Sequence, residues 1–141
     1  MGNQPSSMNK VNFEDIQWLI KNQKSYLLIN TLKKENQQCL IQGTVPVEKE
    51  ENIINSNLKQ KNINIIIYGR NTNDVRIVQK FKQLYALGFY HIFVYPGGLF
   101  EWLCLQDIYG KIQFPTTKHE LDILKFKPSP NICSNHLIQD R

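Results

Sequence analysis

The run Ile63-Asn64-Ile65-Ile66-Ile67-Tyr68, followed at once by Gly69-Arg70-Asn71-Thr72-Asn73-Asp74, decides how this chain reads. The first six residues are mostly β-branched and apolar, the composition of a central strand. The next five are polar turn formers. Asn73 or Thr72 can cap a following helix, with Asp74 in its first turn, where a carboxylate meets the helix dipole favourably. Over 74–87, Ile77, Val78, Phe81, Leu84 and Tyr85 form an apolar helical stripe, and Gly88 supplies the stop.

Toward the C-terminus, His91-Ile92-Phe93-Val94-Tyr95 reads as a second buried strand and Pro96-Gly97-Gly98 as a turn. A helix rich in Leu, Phe and Trp spans 99–109 and ends at Gly110. Beyond it lie Phe114-Pro115-Thr116-Thr117, a short helix candidate near 117–125 that Thr117 could cap, and an irregular tail over 127–141. Toward the N-terminus, residues 48–60 are a moderately amphipathic helix candidate, and Gly43-Thr44-Val45-Pro46-Val47 reads as a turn and a short strand. Tyr26-Leu27-Leu28-Ile29 is a buried-strand run. Residues 11–24 carry Phe13, Ile16, Trp18, Leu19 and Ile20 at helical spacing behind Asn12 as cap. Strands alternating with helices across short connections imply a parallel sheet covered on both faces. On such sheets ligands bind beyond the carboxyl ends of the strands, which here means the turn at 69–73.

The order of these residues resembles the rhodanese-like superfamily over roughly 11–110. Leu87-Gly88-Phe89, then His91 to Tyr95, then Gly97-Gly98-Leu99-Phe100-Glu101-Trp102 resemble its strand, double-glycine and tryptophan signature. Leu28-Ile29-Asn30 and the run from Cys39 to Thr44 match earlier segments. The Tyr-Gly turn, the stretch from Gly97 to Gly110 and Phe-Pro-Thr-Thr resemble a eukaryotic and viral subgroup of such proteins. The resemblance implies an α/β fold with a small five-stranded parallel sheet and helices on both faces. The domain would span 11–112, after a loose leader at 1–10 and before a C-terminal extension at 113–141 that packs on it.

The resemblance also implies a chemistry, and the decisive residues are absent. A rhodanese carries sulfur as a cysteine persulfide at the mouth of an anion-holding loop, steadied by a loop arginine. The cysteine position corresponds to Gly69, and the arginine position to Asp74, of opposite charge. A cysteine displaced to the third loop position would fall at Thr72, whose hydroxyl forms no persulfide. Phosphatases using the same kind of loop need the same two groups. The expectation is a catalytically silent module with a degenerate loop of Gly69, Arg70, Asn71, Thr72, Asn73 and Asp74. Two rivals stand beside it. One is a sulfurtransferase with a displaced cysteine. The other is a small-anion binder in which Arg70 works with the loop amides.

The remaining features bound these readings. The 17 basic and 12 acidic residues, net charge +5, are spread along the chain, so nucleic acid is not an expected partner. The 3 cysteines, Cys39, Cys104 and Cys133, fit a reducing compartment, with Cys104 reading as a buried packing residue between Leu103 and Leu105. Cys133 and His136 are spaced like half a zinc site with no second half, and His91 reads as a surface residue, so neither a metal nor a cofactor is expected. Trp102 and Phe100 read as core. Met1-Gly2-Asn3-Gln4-Pro5-Ser6 fits the N-myristoylation pattern, making Gly2 a candidate lipidation site with weak membrane contact. The expected partner is a protein or complex. The expected location is the cytoplasm, at a membrane or in a large intracellular assembly such as the cytoskeleton or cilium.

Overall fold

The computed structural model of the protein describes residues 8–133. Four strands, β1 (Asn9–Lys10), β2 (Leu27–Asn30), β3 (Ile65–Tyr68) and β4 (Ile92–Tyr95), form one parallel sheet in the order β1-β4-β3-β2. The helices are α1 (Phe13–Asn22), α2 (Val47–Ser56), α3 (Arg76–Ala86) and α4 (Gly98–Tyr109). Every residue of β3 is buried, as expected of a strand covered on both faces.

Alternation along the strands splits the core in two. Leu28, Ile66, Tyr68 and Tyr95 face α1 and α4, packing with Ile16, Leu99, Trp102 and Leu103. Ile29, Ile65, Ile67, Ile92 and Val94 face α2 and α3, packing with Ile54, Ile77, Phe81 and Leu84. Trp102 is fully buried on the first face, and its indole Nε1 donates to the Pro115 carbonyl at 3.1 Å.

Several expectations change here. Among the described residues the sheet has four strands, not five: the segment at 44–47 makes only an isolated bridge, Leu28 with Thr44, before Pro46 and Val47 turn into α2. Asn9 and Lys10, read as the end of a loose leader, pair with Phe93 and Val94 as the edge strand. Residues 117–125 do not form a capped helix. A 3₁₀ turn at Ile123–Phe126 is all that appears, and the Thr117 hydroxyl instead accepts from the Leu40 N–H at 3.0 Å. Asn12 does cap α1, in a reciprocal box in which the Asp15 N–H donates to Asn12 Oδ1 at 3.1 Å and the Asn12 N–H to Asp15 Oδ2 at 3.0 Å.

The segment after α4 returns across the first face. Phe114 and Phe126 are buried in its core. Gln106 Nε2 donates to the Phe114 carbonyl at 2.8 Å, the Thr117 N–H reaches the Leu40 carbonyl at 2.8 Å, and Ile41 bridges Thr116.

Candidate functional site

The loop leaving β3 is built by its neighbours. The Gly69 and Arg70 carbonyls accept from the Leu99 and Phe100 N–H groups, at 2.9 and 3.0 Å, so the first turn of α4 clamps the loop. This closeness explains the double glycine. Gly98 has φ +67°, and a Cβ there would lie 2.7 Å from the Gly69 carbonyl oxygen and 3.0 Å from the Asn71 nitrogen. Below the loop, the Tyr68 hydroxyl accepts from the Ile41 N–H at 3.1 Å and lies 2.7 Å from Thr44 Oγ1. Burial drives its pKa far above the usual phenol range, so this group ties the sheet to the 41–44 turn as a neutral hydroxyl.

The mouth of the cup holds a carboxylate. Asp74 Oδ2 accepts from the Thr31 hydroxyl at 2.9 Å and from the Arg70 N–H at 3.0 Å, and Oδ1 accepts from the Arg76 N–H at 2.9 Å. Val75, which flanks α3, offers no capping side chain; Asp74, one residue before it, takes the Arg76 N–H in the role expected of Asn73 or Thr72, both of which are exposed. It also fills the space above Gly69. A Cβ on Gly69 would overlap Asp74 Oδ2 and stand 2.8 Å from its Cγ and 2.7 Å from Thr31 Oγ1. Glycine at 69 and aspartate at 74 are thus sterically linked.

Arg70 does not point into the cup. Its Nη2 donates to the Lys125 carbonyl, and its guanidinium carbon lies 5.9 Å from the Phe126 ring centroid. Its Nε is buried without a partner. Asn71 is buried, donating to the Phe126 carbonyl at 2.9 Å and accepting from the Asn73 N–H at 2.9 Å. The C-terminal segment thus lies as a strap along the loop. Outside the loop is a pocket of about 360 Å³ whose lining includes Lys33, Arg70, Asp74, Arg76 and Lys127. A larger cleft of about 950 Å³ lies between α2 and α3. Its charges are mixed, and the Lys80–Glu50 ion pair at 2.5 Å crosses it.

None of the three cysteines is among the residues lining the loop pocket. Cys39 is buried, its Sγ donating to the Lys118 carbonyl at 3.1 Å, and burial raises its pKa. Cys104, expected to be buried, is half-exposed on α4, and its pKa is raised by desolvation and by the nearby Asp107 and Glu101. Cys133 is exposed. Elevated thiol pKa values oppose the thiolate that nucleophilic chemistry needs. Among the described residues no group of three metal-ligating side chains gathers; His136 and Gly2 lie outside them. His91 is exposed, as expected. No described helix is long and apolar enough to cross a membrane.

Sequence reasoning placed the loop correctly and missed what fills it. The available signal was a helix-capping aspartate standing where the resemblance wants a cation. Thr31 and the strap at 123–127 gave no local sign.

A four-stranded parallel sheet with paired helices on each face and a loop-to-helix cup at the end of β3 is the rhodanese-like architecture, and the comparisons agree. The chain is similar to the solution structure of the rhodanese-like domain of the Alr3790 protein from Anabaena sp., at 21% identity and TM-score 0.57, over 89% of this chain and 88% of that one. It is similar to Ygr203w, a yeast protein tyrosine phosphatase of the rhodanese family, at 12% identity and TM-score 0.60, over 84% and 99%. It is also similar to the Saccharomyces cerevisiae single-domain sulfurtransferase RDL2, at 15% identity and TM-score 0.53, over 76% and 98%. No family model matches the chain, and no curated protein matches it. The protein has the rhodanese-like fold. At these identities the likeness is one of fold, and function has to be argued from the site.

Proposed function

We propose that this chain is a rhodanese-fold module that does not transfer sulfur and acts by binding, as part of a larger intracellular assembly. The observation that carries the reading is the Asp74 carboxylate. It takes up the Arg70 and Arg76 N–H groups at the mouth of the cup, donors that an incoming anion would need. An incoming thiosulfate would meet negative charge there and no thiol. Sulfur transfer from thiosulfate to cyanide, measured on the wild type and on Cys39→Ser, Cys104→Ser and Cys133→Ser, tests this. The expected rate equals that of buffer without protein. Turnover that disappears with one of the three substitutions overturns the reading in favour of a displaced cysteine.

A second reading, small-anion binding beside the cup, draws on Lys33, Arg70, Arg76 and Lys127 around the loop pocket. Sulfate binding followed by NMR, weakened at least tenfold by Arg70→Ala, would favour it over the first.

A further inference from the structure

A third pocket, none of whose lining residues belongs to the loop at 69–74, carries an inference that does not depend on the silent-module reading. Near the amino ends of β3 and β4, the residues Val11, Trp18, Leu19, Ile66 and Phe93 line a pocket of about 270 Å³, together with Asp15 and Asn64. Trp18 is 53% exposed, and Val11, Leu19 and Phe93 are half-buried, so apolar surface stands open to water. The Asp15 carboxylate is already engaged by the Asn12 N–H at 3.0 Å. What remains is a concave, predominantly apolar site.

The chain itself supplies an occupant of matching chemistry. β1 starts at Asn9, directly paired with Phe93, so the segment entering β1 begins beside one wall of the pocket. Gly2 lies six residues before Met8, within a reach of up to ~20 Å. The sequence from Met1 to Ser6 fits the N-myristoylation pattern. We propose that a myristoyl group on Gly2 folds back into this pocket. After Met1 is removed, the Gly2 amine attacks the thioester of myristoyl-coenzyme A. The new amide bond forms as the thioester bond breaks, and the displaced thiolate takes up the amine proton. A dry cavity of about 150 Å³ holds the six carbons of benzene, so the pocket accommodates roughly eleven of the fourteen acyl carbons. One myristoyl chain binds a bilayer with a constant of only about 10⁴ M⁻¹, so a pocket of this size competes with the membrane for it.

The test uses the full chain co-expressed with an N-myristoyltransferase, with acylation verified by mass. The chain has 2 tryptophans, and Trp102 is fully buried, so a change in emission reports Trp18. Acylation is expected to shift the emission to the blue, and Gly2→Ala to abolish the shift. With phosphatidylcholine–phosphatidylserine vesicles, acylated Leu19→Asp is expected to co-sediment roughly fivefold more than the acylated wild type. Trp18→Ser, at an exposed position, serves as a second pocket variant should Leu19→Asp not fold. Failure of the transferase to modify the chain overturns the proposal. So does an acylated wild type with unchanged emission that sediments as strongly as the pocket variants.

Discussion

Gly69 and Asp74 occupy one space, and that makes a thermodynamic cycle decisive. Asp74→Ala removes the acceptor of three hydrogen bonds, two from backbone N–H groups and one from the Thr31 hydroxyl. Losing a helix cap costs about 1 kcal/mol. Each of the other two donors loses a charged acceptor, and partial access to water limits that cost to about 1 kcal/mol apiece. The expected destabilisation is about 3 kcal/mol. Gly69→Ala faces no forbidden φ, since only Gly43, Gly88, Gly98 and Gly110 have positive φ among the described glycines. Its Cβ would nevertheless overlap Asp74 Oδ2, so the carboxylate must leave. The single substitution should therefore forfeit the same bonds, less up to about 1 kcal/mol from stiffening the unfolded chain. Once Asp74 is alanine, the one close neighbour left to the added methyl is Thr31 Oγ1 at 2.7 Å, a hydroxyl that has lost its acceptor and can rotate away. The double variant should then be no less stable than Asp74→Ala alone, which gives a coupling energy of about 2–3 kcal/mol. Urea unfolding followed by circular dichroism measures all four proteins. Additive effects, with coupling below about 0.5 kcal/mol, would refute the claim that Asp74 fills the cup. Sulfate titration of Asp74→Ala extends the test, because the freed N–H groups should then accept an external anion that the wild type does not bind there.

Other consequences follow from the same geometry. Gly98→Ala places a side chain at positive φ and 2.7 Å from the Gly69 carbonyl, and should cost about 3 kcal/mol or more in chemical denaturation. Phe126→Ala empties a buried site under the strap; a loss of about 3–5 kcal/mol is expected, along with faster amide exchange at residues 70–73. The buried phenols of Tyr68 and Tyr95 have raised pKa values, through desolvation and, for Tyr95, the Glu101 carboxylate as well. The unfolded chain therefore ionises first. Their contribution should persist below about pH 10, the unfolded phenol value, and fade as the pH climbs toward the raised folded values, with tyrosinate absorbance rising only as the fold is lost. In native protein a disulfide reagent should label Cys133 fastest, Cys104 more slowly and Cys39 only on unfolding, as read by peptide mass.

The strands and helices were legible because their signals are local. Ile65 to Tyr68 and Ile92 to Tyr95 carry burial on both faces in their own composition, and helical spacing alone shows the stripe on α3, of which Ile77, Phe81 and Leu84 are buried while Val78 and Tyr85, expected with them, are exposed. Asn12 could be named as a cap because its partner, Asp15, is three residues away. Leader and edge strand were harder to separate. Asn9 and Lys10 are polar and exposed, and become a strand only because β4 offers them a free edge.

By itself the amino-acid sequence determined an alternating parallel α/β domain whose loop after Tyr68 contains no cysteine. Those properties depend on residue identity and short-range periodicity. Only the tertiary structure decided what occupies that loop. The bond from Thr31 to Asp74 spans 43 positions and that from Asn71 to Phe126 spans 55. Such partners are selected by where the folded sheet brings chain segments together, and no periodicity along the chain encodes that meeting.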